Sequence, residues 1–360
     1  MILSLDNLYF YLLENGTLDT ACIIDGSYCA SQSKTRNITF NVTRKTGKNL
    51  FIKQLTQFDA QNNYILQKDA TCLWLIKNEQ AYANLSQYVP DYFGYDTANQ
   101  VLITEFLPES SNLEMHLRLA NGNLDYFIEP LVTILSALHI PLTDALLNMP
   151  SMRFFQKQIP WTMNLGMPNS GNQAGSSPVM QTVLNNPDYQ AMLKDARNQY
   201  EFSSLIHGDI KWMNFLVHGA KGAEKLSLID WEIADIGDPM WDVAGIFMSI
   251  LMLAVAESPY QPKDMSQFPL NEPIKALTPC WPLMAKFWHL YAEQNKAHIK
   301  NAAASLEKAL HFTGARLIQT AVEYNMHVTE LNPNANRLML ACIALFEHRS
   351  FILSQIKTLG

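Results

Sequence analysis

Three side chains in the second half of the chain have the types and spacing that phosphoryl transfer requires. Asp209 and Asn214 stand five positions apart in Leu205-Ile-His-Gly-Asp-Ile-Lys-Trp-Met-Asn-Phe-Leu-Val217, and Asp230 follows in Leu226-Ser-Leu-Ile-Asp-Trp-Glu232. Moving a phosphoryl group needs a carboxylate to take the acceptor hydroxyl's proton. It also needs hard oxygen ligands to hold a divalent cation against the phosphates. A short loop bearing Asp and then Asn can aim one group at the acceptor and the other at the metal. The apolar runs at 215–217 and 226–229, joined through Gly219 and Gly222, predict a hairpin that delivers Asp230 as the second metal ligand.

The two segments in this order resemble the aminoglycoside phosphotransferase and choline kinase-like superfamily. The resemblance is carried by His207-Gly208-Asp209 with Asn214, and by Ile229-Asp230-Trp231-Glu232, Gly237-Asp238-Pro239 and Trp241-Asp242. It implies an α+β, bilobal protein-kinase-like fold, with a small antiparallel-sheet N-lobe and a larger, mainly helical C-lobe. By position it makes Asp209 the catalytic base, with His207 bracing the loop. Asn214 and Asp230 become Mg²⁺ ligands, with ATP as phosphoryl donor. Asp242 becomes a structural tether from a helix start.

Such an enzyme also needs a strand Lys on the α- and β-phosphates, positioned by an acidic residue on the next helix. Phe51-Ile52-Lys53-Gln54 supplies Lys53 at a strand centre. Its partner is Asp69, sixteen positions on, or Glu79 further along; Asp69 is preferred, although its side chain is one methylene shorter. The segment 102–108 reads as the last strand entering an interlobe hinge, where adenine would meet backbone groups near Glu105 and Leu107. The nucleotide-covering loop from Gly26 to Asn37 has a single glycine, so phosphate cradling falls to Ser31, Ser33 and backbone amides. Only eleven residues separate Asp230 from Asp242 and no APE follows, which leaves no room for a protein-kinase activation segment.

The elements that must position these groups follow from periodicity. A short helix at 8–14 closes on Asn15-Gly16. Strands are predicted at 21–24, 38–43 and 50–55, with a polar loop at 25–37 and a turn at 44–48. A helix at 67–84 and strands at 92–95 and 101–106 complete a small sheet ending at Pro108. Beyond it, 3.6-residue apolar spacing predicts helices at 113–120, 125–139, 188–202, 241–256, 305–324 and 336–356. A Gly/Ser/Asn/Pro-rich loop interrupts them at 166–178. The lobe boundary therefore falls between 1–107 and 108–360.

Composition narrows the function classes. The 360 residues are 48% apolar and 16% charged, with a formal net charge of −7, so disorder is excluded for most of the chain. No basic run exists to bind a phosphate backbone, which argues against a nucleic-acid partner. Five scattered cysteines without a CxxC pair indicate neither a disulfide framework nor a zinc site. The longest apolar stretch, 243–256, is shorter than the roughly 20 residues of a spanning helix, so it reads as a buried core helix rather than a membrane segment. A cytoplasmic location is expected.

The acceptor is less legible. The expected reading is a small-molecule hydroxyl kinase acting on an amino alcohol, sugar or antibiotic. The N-terminal helix with its 14–21 extension, Tyr88 to Asp96 and Ala315 to Tyr324 are also similar to the phosphotransferase-like kinases of class V lanthipeptide synthetases. That similarity implies a Ser/Thr kinase of a biosynthetic precursor peptide. A third reading is a pseudokinase scaffold, against which the intact Lys53, Asp209, Asn214 and Asp230 stand.

Overall fold

The structure is a computed structural model describing residues 1–34, 37–119, 122–165, 177–255, 273–326 and 328–359. Its strands are β1 (Cys29–Lys34), β2 (Asn37–Thr43), β3 (Leu50–Leu55), β4 (Tyr92–Asp96) and β5 (Val101–Glu105). They continue with β6 (Ser111–Asn112), β7 (Ser204–Ile206), β8 (Phe215–His218), β9 (Lys225–Leu228) and β10 (Asp235–Gly237). The first helices are α1 (Leu8–Glu14), α2 (Ala21–Ile24), α3 (Ala60–Asn78), α4 (Leu113–Leu119) and α5 (Leu124–Leu138). After them come α6 (Asp144–Leu147), α7 (Pro178–Asn185), α8 (Pro187–Gln199) and α9 (Pro239–Val255). The last are α10 (Pro273–Leu277), α11 (Trp281–Gln294), α12 (Ala302–Tyr324), α13 (Pro333–Glu347) and α14 (Arg349–Thr358). The fold is the α+β, bilobal, kinase-like one. By contact the chain forms one compact unit from 1–113, 145–155 and 214–234, and a second from 114–144, 156–213 and 235–360.

The first unit is built on an antiparallel sheet of order β1-β2-β3-β5-β4. Its strands alternate, and the alternation sorts their residues to two faces. Ile38, Phe40, Val42, Leu50, Ile52, Val101 and Ile103 share one face and pack with Leu8, Tyr11 and Leu12 of α1 in a buried core. Gln54, fully buried, accepts from the Leu3 amide and donates to the carbonyls of Met1 and Asn99, which pins the N-terminal stretch to the sheet. The neighbouring Lys53 turns to the face opposite Ile52. It pairs in register with Thr39 and Leu102. α3 begins at the Asp59 cap, which accepts from the Asn62 amide.

Three expectations are corrected here. Residues 21–24 form a helical turn, not a strand: Asp19 Oδ1 accepts from the Ala21 amide, and a short Ala-Cys-Ile-Ile run has no alternation to favour extension. The polar loop expected at 25–37 contains a true strand. β1 pairs with β2 in the register Ser31↔Asn41 and Ser33↔Thr39. It is an edge strand with five of six residues exposed, so no apolar pattern marks it. The helix expected at 67–84 begins earlier and ends at Asn78, followed by two short 3₁₀ turns.

The second unit is mainly helical. α9 is apolar along its length and mostly buried, and α12 packs on α9, α13 and α8. The predicted helix at 336–356 is two helices, α13 and α14, bent by 80° at His348. α7, α10 and α11 were not anticipated. Most of the loop expected at 166–178 lies outside the described residues, as does Ala256 of the predicted core helix. No single helix among the described residues is long and apolar enough to cross a membrane, although the bent α13–α14 pair passes by length and composition.

Asn caps four of the long helices of this low-charge chain, whereas Asp59 and Asp238 cap α3 and α9. Asn123, Asn186, Asn301 and Asn332 each accept a first-turn amide through the side chain, at α5, α8, α12 and α13. Asn301→Ala should lower stability by about 1 kcal/mol in urea unfolding, while Asn301→Asp should stay within a few tenths.

Candidate functional site

Lys53 sits in a carboxylate cluster within the first unit. Its Nζ lies 3.1 Å from Asp69 Oδ2, 3.2 Å from Asp230 Oδ1 and 3.6 Å from Glu232 Oε2. The ammonium's side chain is only 13% exposed, and burial alone would lower its pKa. Asp69, Asp230 and Glu232 outweigh that and raise it, so Lys53 stays charged. Asp69, on the third turn of α3, reaches the ammonium directly. Its other oxygen lies 3.4 Å from the Trp231 amide, linking α3 to the Asp-Trp-Glu turn. Glu79, the alternative partner, stands in the cap after α3.

Asp230 is held in the left-handed region, with φ 69°. This conformation disfavours most side chains and is least costly for Asp and Asn. The register Phe215↔Leu228 and the bond from the Ile229 amide to the Asn214 carbonyl place Asn214 across the hairpin from the residue before Asp230. Lys53 and its three carboxylates formally carry a net −2. Among the described residues no three His, Cys, Asp or Glu side chains form a cage for a metal. The hard oxygen donors of Asp230, within this anionic surplus, and the amide oxygen of Asn214 across the hairpin are of the chemistry that suits Mg²⁺ held by one or two protein ligands and completed by substrate phosphates.

Asp209 stands in the second unit, on a loop clamped from several sides. Asp238 caps α9, accepting from the Met240 amide, and so sets Asp242 in the helix's first turn. The fully buried Asp242 carboxylate accepts from the His207 amide at 2.7 Å and the Gly208 amide at 2.9 Å. It also meets His139 Nε2 at 3.1 Å, whose Nδ1 lies 2.8 Å from the Tyr291 hydroxyl. Gly208 has φ 82°, which a Cβ would strain. Its carbonyl accepts from Trp241 Nε1 at 2.9 Å. His207 is wholly buried, its Nδ1 facing the Asp209 amide at 3.3 Å.

The groups acting on the Asp209 carboxylate itself were invisible in the sequence. Arg316, on α12, donates to the carbonyls of Gly208 and Ile210 at 3.1 and 2.9 Å and reaches Asp209 Oδ1 at 3.3 Å. Its guanidinium lies over the Trp241 ring, 5.2 Å from the centroid. Lys211 Nζ lies 2.7 Å from Asp209 Oδ2. Burial pushes the Asp209 pKa up, but Arg316 and Lys211 overcome it and hold the carboxyl at about 2. Glu232, too, belongs to the site, although its place in the motif alone did not reveal its contact with Lys53.

A cavity of about 310 Å³ opens in the second unit against Asp209 and Lys211. Met248, Met252 and Leu253 of α9 make much of its apolar wall. Arg316, Thr320, Glu323 and Tyr324 of α12 line it too, so the segment 315–324 singled out in the sequence is part of that wall.

The remaining predicted residues are placed as follows. Ser31 and Ser33 lie on the exposed edge strand β1; residues 35–36, which join it to β2, are outside the described residues. The Glu105 amide donates to Asp91 O and the Phe106 amide to Asn49 O. The Glu105 carboxylate pairs with Lys48 at 3.0 Å, and Leu107 O accepts from the Ser110 hydroxyl at 2.8 Å.

Residues 77–265 match the sequence profile of the phosphotransferase enzyme family. No curated protein matches the chain. Among solved structures, the chain is similar to an ethanolamine kinase of Plasmodium vivax, with 14% identity, 96% of this chain and 91% of that one covered, and a TM-score of 0.59. A choline kinase of Cryptosporidium parvum gives 12% identity, coverage of 98% and 97%, and a TM-score of 0.59. A macrolide 2′-phosphotransferase of Brachybacterium faecium gives 15% identity, coverage of 94% and 97%, and a TM-score of 0.53. At these identities the likeness shows the fold.

Two outcomes test the loop. Because the folded pKa of Asp209 is depressed, its contribution is present above the unfolded value near 4 and lost as pH falls through about 2. The stability gap between the wild type and Asp209→Asn should therefore shrink by about 2 kcal/mol between pH 4 and pH 2, read by urea unfolding at each pH. A Cβ at Gly245 of α9 would meet the Ile210 carbonyl oxygen at 2.5 Å. Gly245→Ala should destabilise by about 1–3 kcal/mol by the same measurement, because backbone has to move.

Proposed function

The chain belongs to the phosphotransferase enzyme family, and from that premise we propose that it is an ATP- and Mg²⁺-dependent kinase of a small hydroxyl-bearing molecule, acting in the cytoplasm. The observation that carries this reading is the Lys53 cluster: one buried ammonium between the carboxylates of Asp69 and Asp230. A purely structural ion pair needs one carboxylate, and the surplus anions suit a site that takes up a cation with its nucleotide.

In this reading, the N-terminal part up to residue 107 binds the nucleotide and the remainder carries the catalytic loop and the acceptor. The backbone from Glu105 to Leu107 meets the adenine, and Ser31 and Ser33 assist with the phosphates. Lys53, held by Asp69, binds the α- and β-phosphates. Asp230 and Asn214 would hold Mg²⁺, which would supply charge neutralisation for the phosphates. Asp209 accepts a hydrogen bond from the acceptor hydroxyl and aims its oxygen at the γ-phosphorus. The new O–P bond forms as the β–γ bridging bond breaks, and the hydroxyl proton passes to the Asp209 carboxylate.

A carboxyl held near 2 is a weak base, so Asp209 contributes mainly orientation until the O–P bond is well advanced. This suits a loose transition state, in which the proton leaves late. The cavity of about 310 Å³ beside Asp209 is at the lower end of the range for small-molecule pockets, which supports a compact acceptor over a folded protein substrate.

Mg-ATP at a hundredfold excess over Kd should stabilise the protein by about 2.7 kcal/mol in thermal unfolding. Asp230→Asn should abolish the Mg²⁺-dependent part of that shift. Asp209→Asn should keep it and lower kcat by about 10²-fold or more. Absence of any shift at millimolar Mg-ATP would overturn the nucleotide assignment, and full turnover by Asp209→Asn would overturn the base.

A further inference from the structure

The wall of the cavity beside Asp209 carries more hydrogen-bond donors than it has partners for. Arg118, on α4, is a wall residue whose side chain is 6% exposed; among the described residues its buried Nη1 has no hydrogen-bond partner, and its Nε has only the ion pair with Glu114. Ser249 Oγ of α9 and Arg316 Nε of α12, both on the same wall, are likewise buried without hydrogen-bond partners among the described residues. The acidic wall residues differ. Glu114 Oε1 lies 3.2 Å from Arg118 Nε, and Glu323 Oε1 accepts from Gln319 Nε2 at 3.3 Å. The unmet demand therefore lies on the donor side. A buried guanidinium N–H left unpaired is costly, and the cost is removed by a ligand that brings an oxygen acceptor.

Arg118 meets the wall by Tyr324, about two turns along α12 from the Arg316 that works on Asp209. The cations acting on Asp209 are Arg316 and Lys211. Arg118 instead neighbours Glu114 and Tyr324: burial raises the Tyr324 phenol, Glu114 adds to that and Arg118 opposes it. Met248, Met252 and Leu253 supply apolar surface for whatever spans the two. The wall offers no cage of aromatic faces of the kind that selects a quaternary ammonium, since Trp212 and Tyr324 are its only aromatic members among the described residues.

Resting on the kinase reading, we infer that the acceptor is an alcohol that also carries a carboxylate or carbonyl oxygen, joined to its hydroxyl by an apolar segment, and that Arg118 binds that oxygen. Arg118 is then a specificity residue: it grips the non-reacting end, while Asp209 addresses the hydroxyl. The acceptor oxygen has two chemical sources, a free carboxylate or an amide carbonyl. An arginine serves both, the first with a stronger, charge-assisted bond.

The test uses the full chain with three probes of equal length, a hydroxyhexanoate, its amide and the corresponding aminohexanol, in Mg-ATP turnover assays and in direct calorimetric titration. The acid and the amide should bind at least about tenfold more tightly than the amino alcohol, and the acid-to-amide ratio reads which oxygen source the site prefers. Arg118→Met should erase the preference, raising KM for the acid more than it lowers kcat. The paired variant Glu114→Gln/Arg118→Met should do the same without leaving a carboxylate unpaired. Arg118→Lys should restore binding of the acid more than of the amide. Equal or tighter binding of the amino alcohol, a preference that survives in Arg118→Met, or an effect confined to kcat would each overturn the inference. A chain that takes up Mg-ATP and binds none of the probes overturns it too, while leaving the kinase reading standing. A chain that sorts the probes but does not take up Mg-ATP does the reverse.

Discussion

The Asp209 loop depends on one buried guanidinium. Arg316 reaches the carbonyls of Gly208 and Ile210 and the carboxylate of Asp209 from a single planar group. An isolated carboxylate at that depth would be driven to take up a proton. With Arg316 and Lys211 beside it, the same burial becomes tolerable, and the carboxylate keeps its charge. The arginine is stacked on Trp241, whose own indole N–H is fixed to Gly208. Loop shape and the ionisation of Asp209 therefore rest in part on the same contacts.

Lys53 presents the opposite arrangement of charge. There a single cation faces three carboxylates, whereas Asp209 is a single anion facing two cations. Each cluster is left with an excess of one sign, anionic at the first and cationic at the second. In a chain only 16% charged, Lys53, Asp69 and Asp209 are deeply placed, while Asp230 and Lys211 stay partly open to solvent. Ion pairs of this kind are poor sources of stability but hold their partners in defined positions, which is the property a reacting site requires.

What the sequence made legible divides along a physical line. Asp209, Asn214 and Asp230 could be read because a short loop and a tight hairpin fix their separation locally. Lys53 and Asp69 could be read because strand and helix periods set which residues share a face. β1 escaped because an exposed edge strand has no alternation, and α2 was misread because four apolar residues carry no period at all. The helix predicted through His348 missed its break because the apolar spacing runs on across it. Arg316 had no local signature: it is an arginine in a helix more than a hundred residues from the loop it holds. Only the packing of α12 against α9 gives it meaning.

The same reasoning explains why the reaction was easier to identify than the acceptor. Phosphoryl transfer imposes a fixed list of groups, and the backbone of one loop and one hairpin supplies most of them. The cavity wall is assembled from α4, the catalytic loop, α9 and α12, which lie far apart along the chain and share no spacing rule. Each of those helices also has a core to pack, so its sequence pattern reports burial and conceals the few polar side chains that face the cavity. Arg118 shows the consequence. On the sequence it is an i,i+4 partner of Glu114, which is the ordinary pattern of a solvated helix face. Only its burial and its unpartnered N–H distinguish it from a surface ion pair. The information about the acceptor therefore resides in the unmet hydrogen-bonding demand of the folded wall, a quantity that does not exist until the helices have packed.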